Sequence, residues 1–256
     1  MIYKRFAANL RAQNWFAIGI EFGIVVAGVF VGTQVSNWNA ERLEKRETQR
    51  MLAQLKPNLQ SLMDYYTNAR TYYATTRRYA TTAFAGWRRD PKVSDADFVI
   101  AAYQASQIIG IATNSSSWST VLGADQLRKI EDPKTRYELS FLMSADYSIL
   151  DTSSVNTPYR QNVRRWIPID MQDAIRTRCG DRPASDNSLT TILPPTCDVK
   201  LDPKEAADAA AILRAHPELV QDLHWHMAAE AALIANLAAF EYSTKNLQRR
   251  IAVIEG

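Results

Sequence analysis

Few residues in this chain have the types and spacing that chemistry needs. In "PELVQDLHWHMAAE", Glu218, Asp222, His226 and Glu230 recur every four residues. On a helix that spacing stacks carboxylates and an imidazole along one face, a donor set that suits several divalent metals. His224 lies two residues from His226 and so points elsewhere. Neither HEXXH nor E-x-x-H spacing occurs, so a bundle di-iron site of the ferritin type lacks its ligands. The row reads more simply as the solvated face of an amphipathic helix, and no metal is expected.

Ser115 to Ser117 come with no strand-turn-helix elbow and no oxyanion glycines, which leaves a hydrolase triad unsupported. Cys179 and Cys197 bracket the polar, Pro-rich "GDRPASDNSLTTILPPT" without CxxC spacing or a nearby His for zinc. A disulfide closing this loop would contribute about 3 kcal/mol and needs an oxidising compartment. Two unrelated free thiols are the alternative. No cofactor and no enzymatic activity are expected.

The remaining candidate is a single acid. "NWFAIGIEFGIVVAGVFVGTQVSNWN" is apolar for about twenty residues, the length of a bilayer-spanning helix, with Glu21 inside it. Trp15 and Trp38 would stand roughly 35 Å apart on one helix, suited to interfacial anchors on both sides of a hydrocarbon core. The run is too long for a signal peptide and no small-residue cleavage site precedes "SNWNAERLEKRE". A retained span over residues 15–36 follows, after a short segment 1–14.

On a helix of 100° per residue, Glu21, Gly28 and Val35 share one stripe with Gly32 beside it. Gly19, Gly23 and Ala27 form a second stripe on roughly the opposite face. Small residues at this spacing let helices approach closely in lipid. Glu21 sits about 9 Å along the axis from Trp15, where an ionisable group costs on the order of 2.5–3.5 kcal/mol and ordinarily faces a partner or water. One reading is a protonated glutamate tolerated near the interface. The other is a carboxyl that pairs with a polar group on another span, its own copy or a different protein.

The segment also carries a resemblance. "AIGIEFGIVVAGVFVGTQVSNWNAER" resembles the N-terminal signature of a functionally uncharacterised family of bacterial single-pass membrane proteins, in which a Glu, a Gly, a Gln and an Asn-Trp-Asn recur. Here these are Glu21, Gly28, Gln34 and Asn37-Trp38-Asn39. The departures are an extra residue between Gly19 and Glu21, Ser36 where Asn is usual, and Ala40 before Glu41. "SSSWSTVLGADQLRKIEDPKTRYELSFLM" resembles that family's mid-domain pattern. The resemblance implies a bacterial membrane-anchored protein and supplies no activity.

The 256 residues suffice for an anchor and a compact domain. Charged residues at 22% and hydrophobic ones at 46% are ordinary globular usage. A net charge of +3 with dispersed Lys and Arg gives no nucleic-acid footprint. Lys4, Arg5 and Arg11 precede the span while Arg42, Lys45, Arg46, Arg50 and Lys56 follow it, a count that opposes a cytoplasmic N-terminus. Long domains translocate largely regardless of charge, however, so the cysteines favour a periplasmic domain of residues 37–256 on a bacterial inner membrane.

That domain reads as all-α. Leu52, Leu59, Tyr66, Tyr73 and Ala80 recur every seven residues, interleaved with Leu55, Leu62, Ala69, Thr76 and Ala83, a coiled-coil-like or bundle seam. Tyr65, Tyr72 and Tyr79 run beside it, and tyrosines packing between helices explain them better than a stacking platform for bases. Pro57 is expected to kink or break this helix, and Gly86 and Pro91 to end it. Helix starts are expected at Ser94–Asp97, Pro133 and Asp202-Pro203, the Pro133 helix running to about Leu150. Two short turns divided at Gly123 are expected in between. Residues 156–201 read as irregular around a helical "DMQDAIRTR", and no sheet is expected. A long helix from Pro217 to about Glu255 should pair antiparallel with the first and return towards the membrane.

The expectation is an interaction protein: an accessory or scaffold subunit that docks through its span on another membrane protein or on its own copy as a homo-oligomer. The alternative is a sensor or ligand-binding module that relays to a partner.

Overall fold

The computed structural model describes residues 15–109, 124–150, 155–184 and 191–255. Ser115 to Ser117, the turns at Gly123 and the segment 1–14 lie outside them. Among the described residues eight α-helices carry the fold. They are α1 (Trp15–Trp87), α2 (Asp95–Gln104), α3 (Ala124–Arg128), α4 (Pro133–Ser144), α5 (Pro158–Trp166), α6 (Ile169–Cys179), α7 (Pro203–Ala215) and α8 (Glu218–Glu255). The chain divides into two compact units, one up to Ala53 and one from Gln54.

In the first unit α1 is a bare apolar helix. It is the one described helix long and apolar enough to cross a membrane, and none of its apolar window is covered. Arg42 lays its guanidinium 4.7 Å from the centre of the Trp38 ring, a cation–π contact one turn beyond the apolar stretch.

The second unit is a helical bundle built on the seam that the heptads predict. From Leu55 on, eight of the nine seam positions of α1 are buried and Leu62 is half-buried. The helix runs through Pro57 as one element. The expected break is absent: Ser61 donates its hydroxyl to the Pro57 carbonyl at 3.0 Å and helical geometry continues. α1 ends where Gly86 lets the Phe98 ring press on its backbone, for a β-carbon there would lie 2.2 Å from Phe98 Cδ2. Arg89 then turns the chain with φ 58°.

α8 packs antiparallel along this part of α1. Gln248 meets Gln60, Arg70 meets Glu241 at 2.5 Å, Thr76 meets Glu230 at 2.8 Å, and Phe84 stacks on His224. Caps set the shorter helices. Ser94 accepts from Asp97 N at 3.1 Å, Asp132 from Thr135 N at 2.9 Å, and Asp202 from Lys204 N and Glu205 N. α4 stops at Ser144, and a 3-10 turn, Tyr147–Leu150, takes up the rest of the expected helix.

The region expected to be irregular holds two helices. α6 covers the "DMQDAIRTR" piece, and α5 was not foreseen; its Tyr159 and Val163 bury in the same core as Phe98, Ile175 and Leu213. The expectation of no sheet also needs correction, because Arg182–Pro183 pairs antiparallel with Thr191–Ile192. Two residues per strand are too short to show an alternating pattern, and the pair lies within a loop closed by a disulfide. Cys179 and Cys197 form that disulfide, with Cα atoms 5.3 Å apart.

Candidate functional site

The span residues keep the faces that their spacing gives them, and nothing described in the chain covers them. Apart from the helix's own backbone and the two adjoining residues, no described heavy atom lies within 4 Å of where a β-carbon on Gly19, Gly23, Gly28 or Gly32 would sit. Both small-residue stripes, with Ala27 between the two glycine pairs, are open to a second helix. Trp15 and Trp38 stand exposed at the two ends. Glu21 is half-exposed, and its Oε2 is shielded from solvent without a hydrogen-bond partner among the described residues. A shielded, unbonded carboxyl oxygen is costly to leave so, and costlier in lipid.

The acid and imidazole row on α8 is arranged differently from the sequence expectation. Glu218 lies on the surface and Asp222 half-buried, but His226 and Glu230 have no exposure at all. The reason is register. Ser243 apart, the buried positions of α8 are Leu219, Leu223, His226, Glu230, Leu233, Leu237, Phe240, Thr244, Leu247 and Ile251, an unbroken alternation of four and three. This is a heptad seam, and His226 and Glu230 occupy two of its core places. The solvated-face reading holds for Glu218, only in part for Asp222, which accepts from Asn162 at 2.8 Å, and fails for His226 and Glu230.

Inside the seam His226 Nδ1 lies 2.8 Å from Thr157 Oγ1, and its Nε2 lies 3.4 Å from Glu230 Oε1. Thr76 Oγ1 is 2.8 Å from Glu230 Oε1 and also 2.8 Å from the Tyr73 carbonyl. A hydroxyl has one proton to give. Both contacts are satisfied when Glu230 keeps its own proton and donates it to Thr76, while Thr76 donates to the carbonyl. The electrostatics agree. Burial raises the pKa of Glu230, against the opposing pull of His226, Thr76 and Arg77. No cluster of three metal-ligating side chains occurs among the described residues. The arrangement is a buried polar network.

A second polar group lies where α2, α5 and α6 meet. Arg164 stacks its guanidinium 4.9 Å from the centre of the Tyr103 ring and donates to Ser106 Oγ and Gln107 Oε1 at 3.1 and 2.9 Å. Arg160 donates to the Ser106 carbonyl at 2.5 Å. Arg176 reaches the Tyr103 hydroxyl at 3.3 Å. Tyr72 donates to Asp181 at 2.8 Å beside them, and Gln104 donates to the Cys179 carbonyl at 2.7 Å, tying the group to the disulfide. Sequence reasoning missed this cluster, whose members come from separate elements. The one available signal was the run of arginines from Arg160 to Arg182.

The described residues form a nearly all-α protein with one helix long and apolar enough to cross a membrane. No family model matches the chain, and neither a curated protein nor a solved structure matches it.

Proposed function

We propose that this chain is a membrane-anchored interaction protein, an accessory or scaffold subunit of an inner-membrane assembly that docks through its span with the helical domain in the periplasm. The observation that carries the reading is the open helix from Trp15 to Trp38, with two small-residue stripes and a shielded, unbonded Oε2 on Glu21. In lipid, close backbone packing and interhelical hydrogen bonds drive association. An open stripe with a carboxyl offers both. The Cys179–Cys197 disulfide supports an oxidising compartment for the domain. The partner is another membrane protein or a second copy of this chain.

Purification in mild detergent tests this, with wild type beside Glu21→Leu. The substitution should leave insertion intact and remove the co-purifying partner. Unchanged co-purification would sink the idea.

A second reading, a ligand-binding module whose span relays occupancy, is favoured by the half-buried arginines of α5 beside the disulfide.

A further inference from the structure

Arg160 and Arg164 stand one turn apart on α5, and Arg176 approaches from α6. Arg164 and Arg176 reach Tyr103 near the end of α2, and Arg160 and Arg164 reach Ser106 and Gln107 just beyond it. Part of this is structural. The C-terminus of a helix leaves carbonyls without donors, and arginine side chains supply them. That accounts for Arg160 on the Ser106 carbonyl.

It does not account for three guanidiniums in one place. Arg160 and Arg164 are half-buried, and Arg176 is exposed at the rim. Burial lowers the pKa of Arg164, and Arg160 and Arg176 lower it further by like-charge repulsion. Among the described residues the counter-charges are Asp181, which accepts from the Tyr72 hydroxyl, and Asp173, 3.6 Å from Arg176 on its exposed side. Three cations against two anions leave one positive charge in excess. The chain around them is unbalanced too, with six arginines and three aspartates from Arg160 to Arg182. Donors are also left over. Among the described residues Arg160 commits only Nη1, and Arg164 commits Nε and Nη2. The side chains are already fixed by Ser106, Gln107 and the Tyr103 ring, so little rotamer entropy remains to be lost when a ligand arrives.

We propose that Arg160, Arg164 and Arg176 form a receptor for a small soluble oxyanion, a phosphate- or carboxylate-bearing solute held by charge-assisted hydrogen bonds at the rim of α5 and α6. The planar guanidinium fork matches the spacing of such oxygens and gives orientation as well as charge. This inference rests on the second reading, the ligand-binding module, and not on docking through the span.

The test is equilibrium dialysis of the full chain in neutral detergent against radiolabelled inorganic phosphate, with chloride balancing the ionic strength. A parallel arm adds phosphatidylglycerol to the micelles in place of phosphate and follows the melting temperature of the domain. The expected result is one phosphate per chain, a melting temperature raised by phosphate and unmoved by the lipid, and at least tenfold weaker phosphate binding in Arg176→Gln. Arg176 is exposed, so that variant keeps its fold; Arg178→Gln, which removes a donor to the Asp198 carbonyl, should bind phosphate as wild type does. No phosphate bound, or equal binding in Arg176→Gln, overturns the proposal. A response to phosphatidylglycerol alone also overturns it, because the anion would then be a lipid headgroup. Loss of phosphate binding with a co-purifying partner retained separates this failure from failure of the docking account.

Discussion

Thr76 on α1 and Glu230 on α8 meet at 2.8 Å in the middle of the helix pair, and neither side chain reaches solvent. The contact puts a carboxyl at a seam position where a leucine would pack. It therefore links the stability of the bundle to pH.

The sign follows from the raised pKa of Glu230. In the unfolded chain this carboxyl ionises near its ordinary 4.5, while the folded protein holds the proton longer. The contribution is fully present below about pH 4.5 and is lost as pH rises through the folded pKa, at about 1.4 kcal/mol per pH unit while only the unfolded state is ionised. Glu230→Gln keeps a donor for Thr76 and cannot ionise. Melting curves from pH 4.5 to 7.5 should fall less steeply for the variant, with a higher melting temperature at pH 7. Parallel curves would contradict the buried, protonated state.

Phe240 lies about three turns further along the α8 seam. Its ring lies 6.1 Å from Tyr66, 5.9 Å from Phe141 and 5.2 Å from Tyr147, so three elements lean on it. Phe240→Ala should cost about 3–5 kcal/mol in denaturant unfolding. A loss under 1 kcal/mol would mean that α4 and the 3-10 turn do not pack there.

Gly86 makes room for Phe98, which also packs edge-on against Trp87 and beneath Arg214. Because that ring is held on several sides, it cannot retreat from an added methyl. Gly86→Ala should destabilise by about 1–3 kcal/mol from overpacking, despite the higher helix propensity of alanine. A stabilised variant, measured by urea unfolding, would show the contact to be loose.

The Cys179–Cys197 bond closes a loop with a sequence separation of 18. Reduction, or paired Cys→Ser substitution, should lower stability by about 3 kcal/mol through the freed loop entropy. An unchanged melting temperature under reductant would place the stability of this region in α5 and α6 alone.

The α1 seam was legible in the sequence because its heptad positions carry Leu, Tyr and Ala almost throughout. The α8 seam has the same period, yet His226, Glu230 and Thr244 stand at three of its places, and a reading by residue type assigns such residues to solvent. Polar burial is decided by partners on other elements, here Thr76 and Thr157, which spacing along one helix does not reveal. α5 was hidden because "PYRQNVRRW" is mostly polar, and its two buried residues give a face too narrow to stand out. The arginine cluster needed three dimensions, since Tyr103 and Arg176 are far apart in the chain. The stripes around Glu21, in contrast, follow from helical spacing alone.

Docking through the span is tested most directly by placing a photo-crosslinking residue at single positions of the helix in native membranes. The account predicts protein adducts at Gly23, Gly28 and Gly32, which lie on the two stripes, and few at Phe22, Val29 and Val31, which lie between them. The adducts at Gly28 should disappear when Glu21→Leu is added. Crosslinks to lipid alone at every position, or equal protein adducts all round the helix, would contradict it.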